Sequence, residues 1–584
     1  MTTTLNERSG GPGRAEAERR PEPADFLSAC PDYRGTAMLD LLRATEYSYL
    51  DEGGHIYLDY AGAGLPARAQ LAAHTERIQG GCFGNPHSEN PASAASTELI
   101  EAARAAVLAH FNAPPDEYAA IFTANATGAC RLIGEAYPFG PRTPLVLTAD
   151  NHNSVNGLRE FARARGAATR YVPFSSPELR VDDDTVHHAL TRPRPGRLGP
   201  WRRRGLLAYP AQSNFSGVQH PLAWIETAHD LGYDVLLDAA AYVPSSRLDL
   251  SVVKPDFVPV SWYKVFGYPT GVGCLIARRQ ALGRLERPWF AGGSVHLATV
   301  AGDWHAPAPG EARFEDGTVS YLQIPDVQTG LAWVNGIGMD LIHQRVSCLA
   351  GWLLGLLARL RHGNGAPMAR IYGPAGTRDR GGTVAFNLLD PGGRVVDERA
   401  VARDTAAAGI SIRTGCFCNP GAVEGAFGLT EADWRTALRG RARTLEEYLG
   451  LLGMPSGGAL RASVGLASNI GDVERFVAFV ETTYTDRMVG TDGLAPRQGC
   501  LATAYRSTSI APTRALKVRD QSDRQLAAAT RKDRRNPMAK VVSARAADQP
   551  AAAIGTDVIY RKLFDSFNPG QDGRISHWEV LTRL

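Results

Sequence analysis

Cysteine is scarce and unpatterned in this chain: eight thiols in 584 residues, at positions 30, 82, 130, 274, 348, 416, 418 and 500. Such scattered spacing excludes a disulfide framework and suits a reducing, intracellular compartment. A long apolar run is also missing. The most apolar helix-like stretch, Val346 to Leu360, is too short to span a bilayer and ends in Arg359-Leu-Arg-His362. Charge of one sign is not in excess: 63 basic side chains face 60 acidic ones, a net charge of +3, so the balance itself implies no acidic partner. Residues Met1 to Ala24 are polar and rich in Gly, Pro, Glu and Arg, without the apolar segment of a secretory signal. These absences lead to the expectation of a soluble, cytoplasmic protein with no membrane partner.

What is present is enough apolar sequence, 44%, to fill a large core, and a length that predicts two or three folded units plus tails. Short apolar runs at Ala119–Thr123, Pro144–Thr148, Thr169–Pro173, Gly205–Tyr209, Asp234–Leu237, Phe257–Val260 and Gly271–Ala277 alternate with helical patterns. That alternation predicts an α/β fold with a mainly parallel sheet over residues 35–300. From 301 to 485 the pattern turns to helices with fewer strands, including Thr383–Asn387 and Leu460–Val464. A helix from Gly471 has apolar residues at 473, 476, 477 and 480. This region is read as a smaller C-terminal α+β domain.

Chemistry is signalled first by Ser411-Ile-Arg-Thr-Gly-Cys-Phe-Cys-Asn-Pro-Gly-Ala422, which sets two thiols one residue apart in a turn. Neighbours so close do not readily close a disulfide, and the spacing fits no zinc template, so no metal is expected. A loop thiol beside Arg413 remains. The second signal is Ser261-Trp-Tyr-Lys-Val-Phe-Gly267, between two strand-like runs. Aromatics and glycines around Lys264 would desolvate its ammonium, lower its pKa and favour a Schiff base with an aldehyde. Asp238 ends a buried strand ahead of it, where a carboxylate suits the pyridinium nitrogen of pyridoxal phosphate (PLP). Thr127, His152, Asn214, Asp238 and Lys264 all follow the ends of predicted strands, where open α/β sheets gather their ligands.

Together with Tyr57-Leu-Asp-Tyr-Ala-Gly-Ala63, Gly84-Asn-Pro-His-Ser88, Phe122-Thr-Ala-Asn-Ala-Thr127, Asp150-Asn-His-Asn-Ser-Val155, Gln212-Ser-Asn-Phe-Ser-Gly217 and Arg461-Ala-Ser-Val-Gly465, these segments resemble a known family in order over residues 35 to 485. The chain is similar to the class V, fold type I PLP enzymes of the cysteine desulfurase group, above all to the N-terminal domain of molybdenum cofactor sulfurases. Residues Ala126 and Thr127, opening a helix, suit the cofactor phosphate, with Ser261 and Tyr263 adding hydroxyls. The resemblance implies that His152 stacks on the ring, Asn214 meets the 3-oxygen, and Ser294 reaches the phosphate of a neighbouring subunit in a homodimer. Arg461 would hold the carboxylate of L-cysteine with Arg413 beside it. Of the two thiols, the resemblance selects Cys418 as the sulfur acceptor. Tyr263 stands where many desulfurases have His, and Ala241 where they have Gln; both match the molybdenum cofactor sulfurase branch better.

The function expected is a PLP-dependent L-cysteine desulfurase that forms an enzyme persulfide and alanine, then donates sulfur to a cofactor or biosynthetic acceptor. One alternative is another class V enzyme, a C-S lyase, epimerase or aminotransferase, which would have no use for Cys418. The other is a sulfur-carrier or interaction protein with a vestigial PLP site. Flanking regions carry separate expectations. Residues 1–34 read as a disordered tail and 486–555 as a basic flexible linker, with 12 Lys/Arg against 3 Asp between Arg497 and Arg545. A single aromatic, Tyr505, lies among them, too little to build a stacking platform for RNA, so nucleic acid is not expected. Residues 556–584 resemble a partial EF-hand whose third loop position, Gly570, has no ligand oxygen on its side chain.

Overall fold

A computed structural model describes residues 23–192, 204–439, 444–491 and 493–495. Each of the seven predicted apolar runs is a strand of one sheet. Their spatial order is Tyr118–Thr123, Gly273–Arg278, Phe257–Ser261, Tyr233–Asp238, Gly205–Pro210, Leu145–Thr148, Thr169–Val172. Only Gly273–Arg278 runs antiparallel to its neighbours. The strands are apolar on both faces because both are covered. Ile121, Leu147, Leu206, Leu236 and Leu275 enter one buried cluster, and the adjacent Phe122, Val146, Leu207, Val235 and Ile276 enter the other. The carboxyl ends of the parallel strands therefore share one edge, and the segments that carry Thr127, His152, Asn214, Asp238 and Lys264 leave from there.

The second sheet is antiparallel, in the order Ala369–Tyr372, Thr383–Leu388, Ala459–Ser463, Arg413–Gly415. Two helices pack with it, Met339–Arg359 and Ile470–Tyr484. By length and composition the first could cross a membrane. In the fold it is a core helix, with Ile342, Val346, Leu349, Leu353 and Leu357 buried along one stripe. Its Arg345 is buried and pairs with Asp40 at 2.7 Å.

The expected N-terminal tail of 1–34 is corrected from residue 23 on; residues 1–22 lie outside the described residues. Residues Pro23–Ala29 form a helix and Pro31–Thr36 a 3-10 turn, with Phe26 fully buried and the Arg345 guanidinium 4.2 Å above the Tyr33 ring. Arg43 then pairs with Asp472 at 2.5 Å, and strand Ile56–Tyr57 lies parallel to Ile410–Ser411. The N-terminal segment thus packs on the C-terminal half, across the boundary expected at residue 300, and the described residues belong to one compact unit. The polar stretch Met1 to Ala24 runs straight into this segment and masks its apolar residues Phe26, Leu27 and Tyr33. At the other end Asp486 still accepts from Gly363 N–H at 2.7 Å, inside the region read as linker. The basic stretch 497–545 and the hand-like segment 556–584 lie outside the described residues.

Phe26→Ala should lower unfolding stability by about 3 kcal/mol, the usual cost of emptying a buried phenylalanine site, and bring the denaturant midpoint down. An unchanged midpoint would restore this helix to the status of a tail.

Candidate active site

One side of the site is a helix start. Ala126–Ala136 begins at the end of strand Tyr118–Thr123, capped by Asn125, whose side chain accepts from Gly128 N–H at 2.9 Å. Ala126 N–H points to Ser261 Oγ at 3.3 Å, and the Thr127 and Ser154 hydroxyls lie 2.7 Å apart. A Cβ on Gly273 would fall 2.5 Å from Asn125, so that glycine lets the helix start sit directly on the strand ends. First-turn amides ringed by three hydroxyls suit a phosphate dianion. Tyr263 is part-buried beside them, its carbonyl accepting from Gly64 N–H at 2.9 Å.

Lys264 lies in the short helix Trp262–Phe266 that follows strand Phe257–Ser261. Burial brings its pKa down to about 8, helped by Arg461 and opposed by Asp238. The other described lysine, Lys254, is an exposed partner of Glu117. The Lys264 amine instead donates to the neutral Asn214 Oδ1 at 3.4 Å, a setting that leaves it free to capture an aldehyde. Asp238 is buried at the end of its strand, accepting from Ala240 N–H at 3.0 Å. His152 caps the turn Asn153–Asn156 by accepting from Ser154 N–H at Nδ1, 3.1 Å. Burial, with Lys264 nearby, lowers its pKa to about 4, so the ring is neutral and suited to stack on a cationic heterocycle.

The cysteine turn links strand Arg413–Gly415 to helix Pro420–Phe427. Phe417 and Cys418 both take the left-handed conformation, φ +52° and +58°, which costs on the order of 1 kcal/mol or more each. Hydrogen bonds offset that strain. Asn153 N–H donates to Cys418 O (2.8 Å), Asn214 Nδ2 to Phe417 O (3.0 Å) and to Asn419 Oδ1 (3.2 Å), and Asn419 Nδ2 to Asp150 O (2.8 Å). The outcome is that Phe417 turns inward, its ring 4.8 Å under the Arg461 guanidinium, while the Cys418 side chain is exposed. Burial and Cys416 hold the Cys418 thiol above its ordinary pKa, against the pull of Arg413, Lys264 and Arg461.

Arg461 is fully buried and burial lowers its pKa to about 10. It donates to Asn214 O (2.8 Å) and Asp59 Oδ1 (3.1 Å), while its buried Nε has no partner among the described residues. Arg413, its ladder partner, grips Asp59 through Nε (3.0 and 3.1 Å) and a terminal nitrogen (2.5 Å).

Ala126, Thr127, His152, Asn214, Asp238, Ser261, Tyr263, Lys264, Arg413, Cys418 and Arg461 therefore all come from loops at one edge of the large sheet or from the second sheet facing it. One detail departs from expectation. The Asn214 amide nitrogen gives both hydrogens to the cysteine turn instead of to a cofactor oxygen, because Phe417 O and Asn419 Oδ1 already accept them. Ser294, expected to serve a neighbouring subunit, lies outside the cluster of its own chain, its hydroxyl closing its own turn through Ala291 N and O at 2.8 and 2.9 Å. Asp59 lies inside a family-like segment and Asn419 directly after one, yet nothing local in the sequence gives either a role.

Comparison with known proteins identifies the family and the fold. A family model described as aminotransferase class-V matches residues 56–476. Molybdenum cofactor sulfurase of Solanum lycopersicum is 34% identical over 504 residues, covering 82% of this chain and 61% of that one. The Homo sapiens protein of the same name is 35% identical over 470 residues, covering 77% and 52%. The chain thus spans about half to three-fifths of the length of these curated relatives. Among solved structures, cysteine desulfurase from Thermococcus onnurineus NA1 superposes with a TM-score of 0.61 at 21% identity, over 76% of this chain and 97% of that one. The cystine C-S lyase C-DES superposes at 0.55 and 19%, over 74% and 98%.

Pyridoxal phosphate mixed with the cofactor-free chain should be captured faster as pH rises from roughly 6 to 8 and level off above, since only the neutral amine is nucleophilic. Stopped-flow visible absorbance reads this directly. A rate that keeps climbing past about pH 10 would mean an unperturbed lysine.

Proposed function

The chain belongs to the aminotransferase class-V family, and on that premise we propose that it is a PLP-dependent L-cysteine desulfurase that passes sulfur to a cofactor or biosynthetic acceptor. One observation carries the reading: an exposed thiol, Cys418, is held on a strained turn at the mouth of a site whose floor has a lysine of depressed pKa and a buried arginine. A lyase, epimerase or aminotransferase needs the floor but has no use for the thiol.

Bound pyridoxal phosphate supplies an electron-withdrawing ring that stabilises negative charge at the substrate Cα. Arg461 directs its free Nε edge to the α-carboxylate and so orients the Cα substituents. Lys264, titrating near 8, exchanges the Cα proton at neutral pH. Asp238, buried at its strand end, is placed to pair with a protonated ring nitrogen. Cys418 takes the sulfur: the substrate Cβ–S bond breaks, a Cys418 S–S bond forms, and L-cysteine plus a thiol become L-alanine plus a persulfide. A second thiol then reduces the persulfide to release sulfide or passes the sulfur on. The curated relatives' names support a molybdenum cofactor or a related acceptor. None of the seven described cysteines is in a disulfide, which suits a reducing, cytoplasmic setting.

We read the working form as a homodimer. Next to Ser294, the antiparallel hairpin of Val295–Thr299 and Trp304–Pro307 exposes Leu297, Val300 and Trp304, and Trp289 and Phe290 precede it. An apolar patch of this kind on one projecting hairpin suits burial against a second copy. Trp304→Asp should halve the mass seen by light scattering and weaken cofactor retention; an unchanged mass would remove the hairpin from the interface.

Cys418→Ser should cut sulfide release from L-cysteine by ~10³-fold or more while the cofactor still binds, whereas Cys416→Ser should keep most activity. Alanine and sulfide are the products to measure. The reverse pattern would move the persulfide to Cys416, and full activity in the double variant would favour a lyase.

A further inference from the structure

At the mouth of the site a single carboxylate is shared by two guanidiniums. Asp59 follows strand Ile56–Tyr57, and the second sheet sets Arg413 and Arg461 side by side, so their like charges meet. Asp59 Oδ1 accepts from Arg461 at 3.1 Å and from Arg413 Nε at 3.0 Å, and Oδ2 takes the rest of the Arg413 fork. The packing around this cluster is close: a Cβ on Gly62 would fall 2.3 Å from an Arg413 terminal nitrogen and 2.5 and 2.7 Å from the Asp59 oxygens. Two positive groups and one negative leave a single positive charge. Of the donors, the buried, unpartnered Arg461 Nε is the clearest one left for a ligand.

We propose that Asp59 is a specificity-determining residue: by engaging the Arg413 guanidinium it leaves the site with cationic capacity for one substrate carboxylate and none for a second acidic group. The inference rests on the reading of Arg461 as the holder of the α-carboxylate. Arg413 is half-exposed and faces the same space as Lys264 and Cys418, both of which feel its charge. Released from Asp59, it would offer a side-chain acid a fork of the kind that binds carboxylates bidentately. With Asp59 in place, such an acid meets an occupied arginine and a like charge.

The test uses the full-length, cofactor-loaded chain and reads binding, not turnover. L-alanine and L-aspartate are titrated separately and followed by the visible absorbance of the bound cofactor. Wild type should prefer alanine, and Asp59→Asn should shift the ratio of dissociation constants toward aspartate by at least ~tenfold. Asp59→Asn/Arg413→Leu should return the ratio to the wild-type side. A ratio that stays within roughly threefold in Asp59→Asn, with both ligands weakened together, would reduce Asp59 to a structural part and overturn the proposal. If Asp59→Asn does not fold, Arg413→Leu alone decides: an unchanged or stronger preference for alanine agrees, and tighter aspartate binding refutes. Selectivity as expected without sulfide from L-cysteine would sink the desulfurase reading alone; sulfide with an unmoved ratio would sink this one alone.

Discussion

One buried side-chain amide, Asn214, holds the three chemical parts of the site in a common frame. Its oxygen accepts from Lys264, its nitrogen donates to Phe417 O and Asn419, and its own backbone carbonyl takes a hydrogen bond from Arg461. The orientation is forced. Phe417 O and Asp150 O can only accept, so the Asn214 and Asn419 nitrogens must face them, and the Asn419 oxygen is left for Asn214. Lys264, the cysteine turn and Arg461 lie 50, 203 and 247 residues from Asn214 along the chain and meet at its polar atoms. Such a network tolerates no half-measures, since each buried polar atom left over would cost on the order of 1–3 kcal/mol.

The same enclosure sets the reactivity of the site. Burial outweighs every neighbouring charge for Lys264, His152 and Arg461, moving each cationic group downward. For Lys264 that brings the neutral amine within reach of neutral pH, and for His152 it removes the charge altogether. Cys418 answers to the same physics with the opposite sign, because burial penalises thiolate; three cations around it only moderate the effect. Asp59 keeps that cationic crowd from growing.

Fold alone separates few activities here, since a cysteine desulfurase and a cystine C-S lyase both superpose on this chain. Below the level of the fold lies the short cysteine turn. Two consecutive left-handed residues bury Phe417 beneath Arg461 and leave the Cys418 side chain exposed, and three asparagines, Asn153, Asn214 and Asn419, hold the turn in that shape. A turn anchored at residues 150, 153 and 214 holds the Cys418 thiol in place, so any group that reacts with it has to come to the thiol.

Much of this architecture was readable along the chain. Strands covered on both faces are unbroken apolar runs, and the polar residues that follow their ends, from Thr127 to Lys264, lie at the ligand edge of a parallel sheet whatever the rest of the fold does. The antiparallel course of Gly273–Arg278 and the exact helix limits carry no such signature. Nor does the burial of the segment from Phe26 to Arg43, whose partners Arg345 and Asp472 are about 300 and 430 residues away. Asp59 looks like any aspartate in a loop until strand pairing brings Arg413 and Arg461 to it from 354 and 402 residues off. The task of Asn214 stayed hidden for the same reason. Local periodicity reports which residues are covered and where a strand stops, because burial and backbone pairing act on neighbours in the chain. Which charge meets which is decided only when distant segments share a surface, and there the tertiary fold alone chose.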